Sequence, residues 1–489
     1  LVLNLVSHIL SISFTLHVLT VTGLTLRVIM RRPPTGVAMA WLLAILALPY
    51  VGALAYLLIG ERRIGRERAR NLQALRGGFQ KQASALLQPG SGEVDWSRHR
   101  PQFASISRLG DTLAGSPMVS GSHLDLYGDT ETILTRLAND IDAATTSVTM
   151  EFYIWHAGGR ADDVLEALIR AAKRGVCCRV LIDALGARPW WRSDQPQRLR
   201  EAGVALRPAL PVGLWRTFIG RTDLRLHRKI VLIDGRIAWT GSMNLVDPRF
   251  FKQDSGVGQW VDAMARIEGV AVAPLAITLL GDWALESQEP VSQLIASSRL
   301  PKLASTGSAD VQVIPAGPGQ NGDALLQMIV ACIHAANHEL VLTTPYLIPD
   351  ESLLQALRGA AARGVRVDVV LPEKVDSFLT RHACRSYYDE LLAAGVHIQL
   401  YRGGLLHTKS IRVDQNLSMF GTVNLDLRSF WLNYEVALFI HDASFAAKLT
   451  DLHQAYLADC TELSRDEWAR RSFSHRLIQD TLRLASPLL

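Results

Sequence analysis

Two stretches decide how this chain folds. The first reads His227-Arg228-Lys229-Ile230-Val231-Leu232-Ile233-Asp234 and is followed by Gly241-Ser242-Met243-Asn244. The second reads His407-Thr408-Lys409-Ser410-Ile411-Arg412-Val413-Asp414 and is followed by Gly421-Thr422-Val423-Asn424. Both have the form H-x-K-x4-D-x6-G-[ST]-x-N. Chance supplies roughly 0.04 copies of the His-x-Lys-x4-Asp core alone in a chain of this composition, so two copies with equal tails are not accidental. Residues two apart on an extended segment share a face, so His and Lys of each copy are expected to point into one cleft. The Asp falls beyond an apolar run that belongs in a core. It is counted with the motif's catalytic set, but it reads more as an anchor for the motif strand than as a proton carrier. The Gly-Ser/Thr-x-Asn turn offers donors suited to an anion, which makes Ser242, Asn244, Thr422 and Asn424 candidate phosphate ligands.

Working outward, each motif closes a longer repeat. Ile141-Asp142-Ala143-Ala144 leads into an expected strand over 147–155, a helix over 161–174 and a strand over 179–183. Ile333-His334-Ala335-Ala336 leads into a strand over 339–347, a helix over 351–363 and a strand over 366–371. Tyr153 and Tyr346 are expected at matching places. Strands alternating with helices of this length predict an α/β fold with mixed sheets flanked by helices. The two pseudo-symmetric halves are expected over 118–290 and 291–489, packed about a pseudo-two-fold axis.

The chemistry follows from the residue types. A phosphodiester repels nucleophiles, so Lys229 and Lys409 are placed to neutralise it, assisted by the asparagines. One histidine must attack unprotonated while the other donates a proton to the leaving oxygen, after which the roles reverse. Carboxylates must orient the rings through their other nitrogen, and Asp262 and Glu435, on strands after the motifs, are the candidates. No carboxylate cluster with metal-ligand spacing accompanies the motifs, so neither metal nor other cofactor is expected.

The N-terminal part reads differently. No Asp, Glu, Lys or Arg precedes Arg27, and residues 35–60 form a second charge-free run after Arg31-Arg32-Pro33-Pro34. Each run reaches the roughly 20 residues needed to cross a bilayer, and no cleavage site separates them. Residues 1–60 are therefore expected to form a two-helix transmembrane hairpin, with Pro49 kinking the second helix rather than ending it. Arg62, Arg63, Arg66, Arg68 and Arg70 outnumber Arg27, Arg31 and Arg32, which places the bulk of the chain in the cytoplasm. Residues 61–117 are expected to be a basic juxtamembrane helix followed by a Pro/Gly/Ser-rich linker from about Gln88 to Pro117.

These residues resemble the phospholipase D superfamily, whose signature is the duplicated HKD motif. The apolar hairpin, Asp223-Leu224-Arg225-Leu226-His227-Arg228-Lys229 and Gly241-Ser242-Met243-Asn244-Leu245-Val246-Asp247-Pro248 are similar to bacterial cardiolipin synthases. The resemblance implies transfer of a phosphatidyl group between two phosphatidylglycerol molecules through a phosphohistidine. It further implies His227 as nucleophile and His407 as acid/base, and a multi-pass protein of the bacterial inner membrane. A lipid-hydrolysing phospholipase D and a phosphatidylserine-forming transferase share the motif chemistry and differ in the acceptor. An inactive scaffold is expected to have lost a motif His or Lys, and all four are present. Phosphatidylglycerol and membrane lipids are the expected partners, with a homodimer as the assembly to test.

Composition narrows the rest. The chain has 489 residues, 48% hydrophobic and 20% charged, with net charge +5, too small an excess to point to nucleic acid. Five cysteines without metal spacing read as reduced, buried thiols. The insertion Pro211-Val212-Gly213-Leu214-Trp215-Arg216-Thr217-Phe218-Ile219-Gly220-Arg221 has no counterpart in the second copy, which passes through Tyr401-Arg402-Gly403-Gly404. Trp215, Phe218 and Arg221 are expected to serve lipid access there.

Overall fold

A computed structural model describes residues 2–33, 35–61, 66–211, 221, 223–319, 323–484 and 486. Two compact units emerge, one of residues 1–66 with 212–223, the other of residues 67–211 with 224–489.

In the larger unit, strand pairing repeats outward from a central seam. At the seam Val119–Tyr127 runs antiparallel to Ala309–Ala316, with Val119 opposite Val311. From there the first half adds Met264–Gly269, Ile237–Gly241, Ile230–Ile233, Ser147–Phe152, Cys177–Asp183 and Ala205–Ala209 in order. The second adds Asn433–His441, Leu417–Gly421, Ser410–Val413, Glu339–Thr343, Arg366–Pro372, His397–Tyr401 and an extra strand, Cys460–Glu462. The inner pairs are antiparallel and the outer ones parallel, except that the extra strand at the second half's edge is antiparallel again, so the two halves share one mixed sheet.

Helices cover the sheet where sequence periodicity requires it. Arg160–Lys173 and Glu351–Ala362 each bury one apolar stripe and expose the opposite face. Val272–Ser287 is apolar nearly all round and is accordingly buried, packed with Val311, Val313 and Leu438 near the seam. All five cysteines are free thiols; Cys178, Cys332 and Cys384 are buried and Cys177 and Cys460 half-buried.

Three expectations are corrected here. The segment read as linker contains the helix Pro101–Ala114, started by Pro101 at its first turn and burying Phe103 and Ile106 in the second half's core. The strands expected over 147–155 and 339–347 end at Phe152 and Thr343. Beyond them the chain leaves the sheet to pair with the segments after the Gly-Ser/Thr-x-Asn turns: Trp155 bridges Leu245, and Leu347 pairs with Leu425. Those pairings make Tyr346 the counterpart of Ile154, so the two tyrosines are offset by one residue rather than matched.

In the smaller unit, Val2–Arg31 is one helix. The second apolar run is Thr35–Ala47, then Pro49–Ala55, then a wide π-type turn Tyr56–Gly60. Pro49 does end the first of these helices, because Leu48 leaves the helical region at φ −132°, ψ 68°. The run doubles back there. The Trp41 and Tyr56 rings meet at 5.5 Å, whereas fifteen residues of unbroken helix would hold them about 22 Å apart. Among the described residues no helix is long and apolar enough to cross a membrane.

Candidate active site

Two short parallel pairings between the halves build the site. Arg225-Leu226 lies beside Asn433-Tyr434, and His227 N donates to Tyr434 O at 2.9 Å. Leu405-Leu406 lies beside Trp260-Val261, and His407 N donates to Val261 O at 2.8 Å. Each motif histidine is thereby set next to the carboxylate that follows the other half's strand. His227 Nδ1 meets Glu435 at 2.8 Å, and His407 Nδ1 meets Asp262 Oδ1 at 2.7 Å. The orienting carboxylates are exchanged between the halves. A proton on each Nδ1, assigned from these bonds, leaves Nε2 as the lone-pair nitrogen.

Both rings line one cleft of about 610 Å³, together with Asn244, Asn424, Tyr153, Tyr346, Arg225 and Arg428. The Gly-Ser/Thr-x-Asn turns divide their donors between the cleft and its support. Ser242 Oγ donates to Asp262 Oδ1 at 2.6 Å and Thr422 Oγ1 to Glu435 Oε2 at 2.5 Å, and both hydroxyls are fully buried. The structure therefore sets Ser242 and Thr422 behind the carboxylates instead of on the cleft wall, because the nearest buried anion captures the hydroxyl proton. Asn244 differs: its Oδ1 accepts from Ile154 N at 3.1 Å, while its buried Nδ2 has no partner among the described residues.

Lys229 and Lys409 lie one layer beneath the rings, fully buried, each Nζ donating to its own histidine's carbonyl, at 2.6 and 2.5 Å. Burial pulls Lys229 down to about 8 against the pull of Glu435 and Asp262, and holds Lys409 well below the usual ammonium range. Burial likewise lowers both histidines to about 4, against the carboxylates and with the help of the lysines. Asp262 is raised by burial but lowered more by His407 and Lys409, ending at about 2; Glu435 is lowered by the same balance with His227 and Lys229. The site thus favours neutral imidazoles and ionised carboxylates, with buried lysines whose charged form gains from an incoming anion.

Asp234 and Asp414 sit at the hairpin turns closing the motif strands, with φ +50° and +51°. Asp tolerates this left-handed conformation better than most residues. Asp234 accepts from the amides of Thr145, Thr146 and Ser147 at 2.7–2.9 Å. Asp414 accepts from those of Asn337, His338 and Glu339 and from Arg100. Each staples a motif strand to the start of its neighbour. Trp215 and Phe218 lie outside the described residues. Arg221 ion-pairs with Asp223 and donates to Ile59 O at 2.9 Å, all within the smaller unit.

Sequence reasoning missed several groups. Asp426 lines the cleft and is raised to about 6, by burial and further by Glu435. Lys252 and Asp376, one from each half, pair at 2.9 Å in the cleft lining, with Tyr346 donating to Asp376 at 3.0 Å. Lys252 and Asp376 lie outside the motifs and no local pattern marks them, whereas Asp426 stands two residues beyond Asn424. The layers under the two histidines also differ. Under His227, Arg228 ion-pairs with Asp282 and donates to Glu435 O at 2.8 Å, beside a fully buried Glu151 whose carboxyl is raised well above normal by burial and by Asp282. Under His407 the groups are neutral: Thr408 with Tyr456, and Ser410 with Thr343 and His453. Among the described residues no three His, Cys, Asp or Glu side chains are grouped to hold a metal ion.

Comparison with known proteins matches this architecture. A family profile described as cardiolipin synthase, PLD-like domain, matches residues 137–261 and 329–456, and one described as phospholipase D-nuclease N-terminal matches residues 10–61. Cardiolipin synthase A of Erwinia tasmaniensis is 43% identical over 472 residues, 96% of each chain. That of Yersinia pseudotuberculosis is 41% identical over the same length and coverage. A crystal structure of phosphatidylserine synthase from Haemophilus influenzae superposes with a TM-score of 0.61 at 15% identity, covering 79% of this chain and 100% of that one. At that identity the likeness speaks for the fold alone.

Proposed function

We infer the function from one premise: the chain belongs to the cardiolipin synthase family, with two copies of its PLD-like domain. The proposed reaction is transfer of a phosphatidyl group from one phosphatidylglycerol to another, giving cardiolipin and glycerol. The observation that carries it is the pair of histidine–carboxylate couples, exchanged between halves and lining one cleft.

In the proposed first step His227 Nε2 attacks phosphorus. The bond from phosphorus to the departing glycerol oxygen breaks, and protonated His407 gives that oxygen its proton. The phosphatidyl group is then on His227. In the second step neutral His407 takes the proton from a glycerol hydroxyl of the second phosphatidylglycerol as its oxygen attacks phosphorus. The phosphorus–nitrogen bond breaks, releasing cardiolipin and restoring both rings. Free His407 holds its proton only as pH falls to about 4 and below, and the anionic phosphodiester raises that value by its charge. Glu435 and Asp262 steady each ring when it is positive. Lys229 and Lys409, beneath the rings, oppose the charge growing on the phosphoryl oxygens, with Asn244 Nδ2 as a direct donor. Asp234 and Asp414 hold the motif strands in register. The two halves act as one catalytic unit.

Attachment to the bacterial cytoplasmic membrane belongs to the same reading, supported by the two charge-free N-terminal runs. The catalytic unit is placed on the arginine-rich, cytoplasmic side. The test is thin-layer analysis of lipids after incubating the purified chain with phosphatidylglycerol alone. Cardiolipin and glycerol are expected, and both are lost in His227→Ala and in His407→Ala while each variant stays folded. Phosphatidic acid as sole product would make the enzyme a hydrolase and overturn the transferase reading.

A further inference from the structure

The path of the second apolar run bears on how the chain meets a membrane. Arg27, near the end of the first helix, forms a two-pronged ion pair with Glu61, just after the second run; its second contact measures 2.9 Å. Arg31 lies 3.7 Å from the same carboxylate, and Tyr56 OH donates to it at 3.0 Å. The start and the end of the run are therefore together. The bend at Leu48-Pro49 lies at the other end, where Tyr50 meets His17 of the first helix. Gly52 permits the tight return: a Cβ there would lie 2.3 Å from Ala44 O. Val28, Ile45 and Tyr56 form the small core between the three segments.

Length and surface say what surrounds this unit. Thr35–Ala47 has 13 residues, about 20 Å of helix, short of the roughly 30 Å hydrocarbon core. Yet its outer surface is apolar: Met39, Leu43, Leu46, Leu48, Tyr50, Val51 and Leu54 are each more than half exposed. Within residues 1–61 the charges, three arginines against one glutamate, gather at the open end, and the bend carries none. An apolar wedge with a cationic base fits a bilayer entered from one face, its base against anionic headgroups.

We propose that residues 35–60 are re-entrant: they enter the bilayer and leave through the same face, with Leu48-Pro49 inside the hydrocarbon. Arg27, Arg31 and Arg32 then add to Arg62, Arg63, Arg66, Arg68 and Arg70 on one side instead of opposing them, which strengthens the cytoplasmic placement of that face. The inference rests on the membrane attachment proposed above.

Impermeant thiol labelling of the full chain in intact and permeabilised cells tests it, with the parent's five cysteines as background. Pro33→Cys and Arg70→Cys are expected to behave alike, protected in intact cells and labelled after permeabilisation. Met30→Cys, at an exposed site, substitutes where Pro33→Cys fails to accumulate. Labelling of Pro33→Cys but not Arg70→Cys in intact cells would mean two full spans and overturn the proposal. Glu61→Arg is expected to lower accumulation and the Arg27→Glu/Glu61→Arg pair to restore it; two residues on opposite faces cannot rescue one another. Release of the parent chain by alkaline carbonate would overturn the attachment and the re-entrant path together. A retained chain with opposite-face labelling would overturn the path alone.

Discussion

Asp262→Asn isolates the charge of one orienting carboxylate. His407 Nδ1 and Ser242 Oγ both bond to the same atom, Asp262 Oδ1, at 2.7 and 2.6 Å. An asparagine whose Oδ1 keeps that place retains both bonds and loses only the charge. Two unit charges about 4 Å apart at an effective dielectric of about 20 attract by about 4 kcal/mol, an upper working figure for what the imidazolium gains. Lost from the step in which His407 carries its proton, that is about three powers of ten in rate. Turnover on phosphatidylglycerol vesicles should therefore fall by roughly 10²–10³, with the Michaelis constant and the unfolding midpoint little changed. The pH response fixes the cause. Without the carboxylate the His407 pKa falls below its value of about 4, so the deficit relative to the parent should shrink as pH is lowered. Turnover within threefold of the parent would refute the argument, as would a deficit constant with pH.

Glu435→Gln should be harsher. Glu435 Oε1 accepts from Asn433 Nδ2 at 3.2 Å and Oε2 from Thr422 Oγ1 at 2.5 Å, with His227 within reach of both oxygens. A glutamine must turn its amide nitrogen toward one of these donors, which forces Asn433 or Thr422 to reorient on top of the lost charge, so its unfolding midpoint should drop as well.

Asp234→Ala and Asp414→Ala each leave three backbone amides without their acceptor, at about 2 kcal/mol per variant; calorimetry should show lowered midpoints while activity per folded molecule persists. Stability should fall as pH drops from about 6.5 toward 4. His227, His407 and His441 are lowered to about 4 and His453 to about 3, mainly by burial, so the unfolded chain, with histidines near 6.5, takes up protons first. The contribution is complete above pH 6.5, and denaturant titrations across this range would reveal a flat profile if it were absent. Activity should survive excess chelator because Lys229 and Lys409 supply the positive charge; a loss that magnesium restores would count against this mechanism.

The duplicated motif is enough to read an α/β fold, two halves and the histidines and asparagines that line the cleft, because each half keeps its order of strand, helix and strand in plain periodicity; the lysines, expected in the cleft with them, lie beneath the rings. Asp262 and Glu435 could be nominated but not matched to a ring. Glu435 is 208 residues from His227 and Asp262 is 145 from His407, and the pairings that join them are two residues long. Ser242 and Thr422 read as phosphate ligands because the sequence shows donors without showing the buried anion that claims them first. The 101–114 segment reads as linker because the whole stretch from about Gln88 to Pro117 is rich in Pro, Gly and Ser, although Pro101 and the spacing of Phe103, Ile106 and Leu109 carry a helix signal. The 35–60 run misled for another reason: periodicity is the same in a straight helix and a folded one, and Pro49 beside Leu48, with Gly52 after it, decides between them.

The two histidines remained equivalent in sequence only because the variable position of the motif carries no meaning until it is packed. Arg228 and Thr408 occupy that position. Arg228 is fully buried, so it must bring a counter-charge with it, and it does: Asp282 pairs with it, beside Glu151, whose carboxyl burial and Asp282 raise well above normal. Its Nε holds the carbonyl of Glu435, the residue that orients His227. Arg68 reaches the same layer through Tyr434 OH at 3.1 Å and Glu286 at 2.7 Å. Thr408 needs none of this and closes its side with a hydroxyl pair to Tyr456 at 2.8 Å. A charged support beneath one ring and a neutral one beneath the other give two chemically identical side chains different surroundings. That difference is what a reaction needs when one ring must attack and the other must hold a proton.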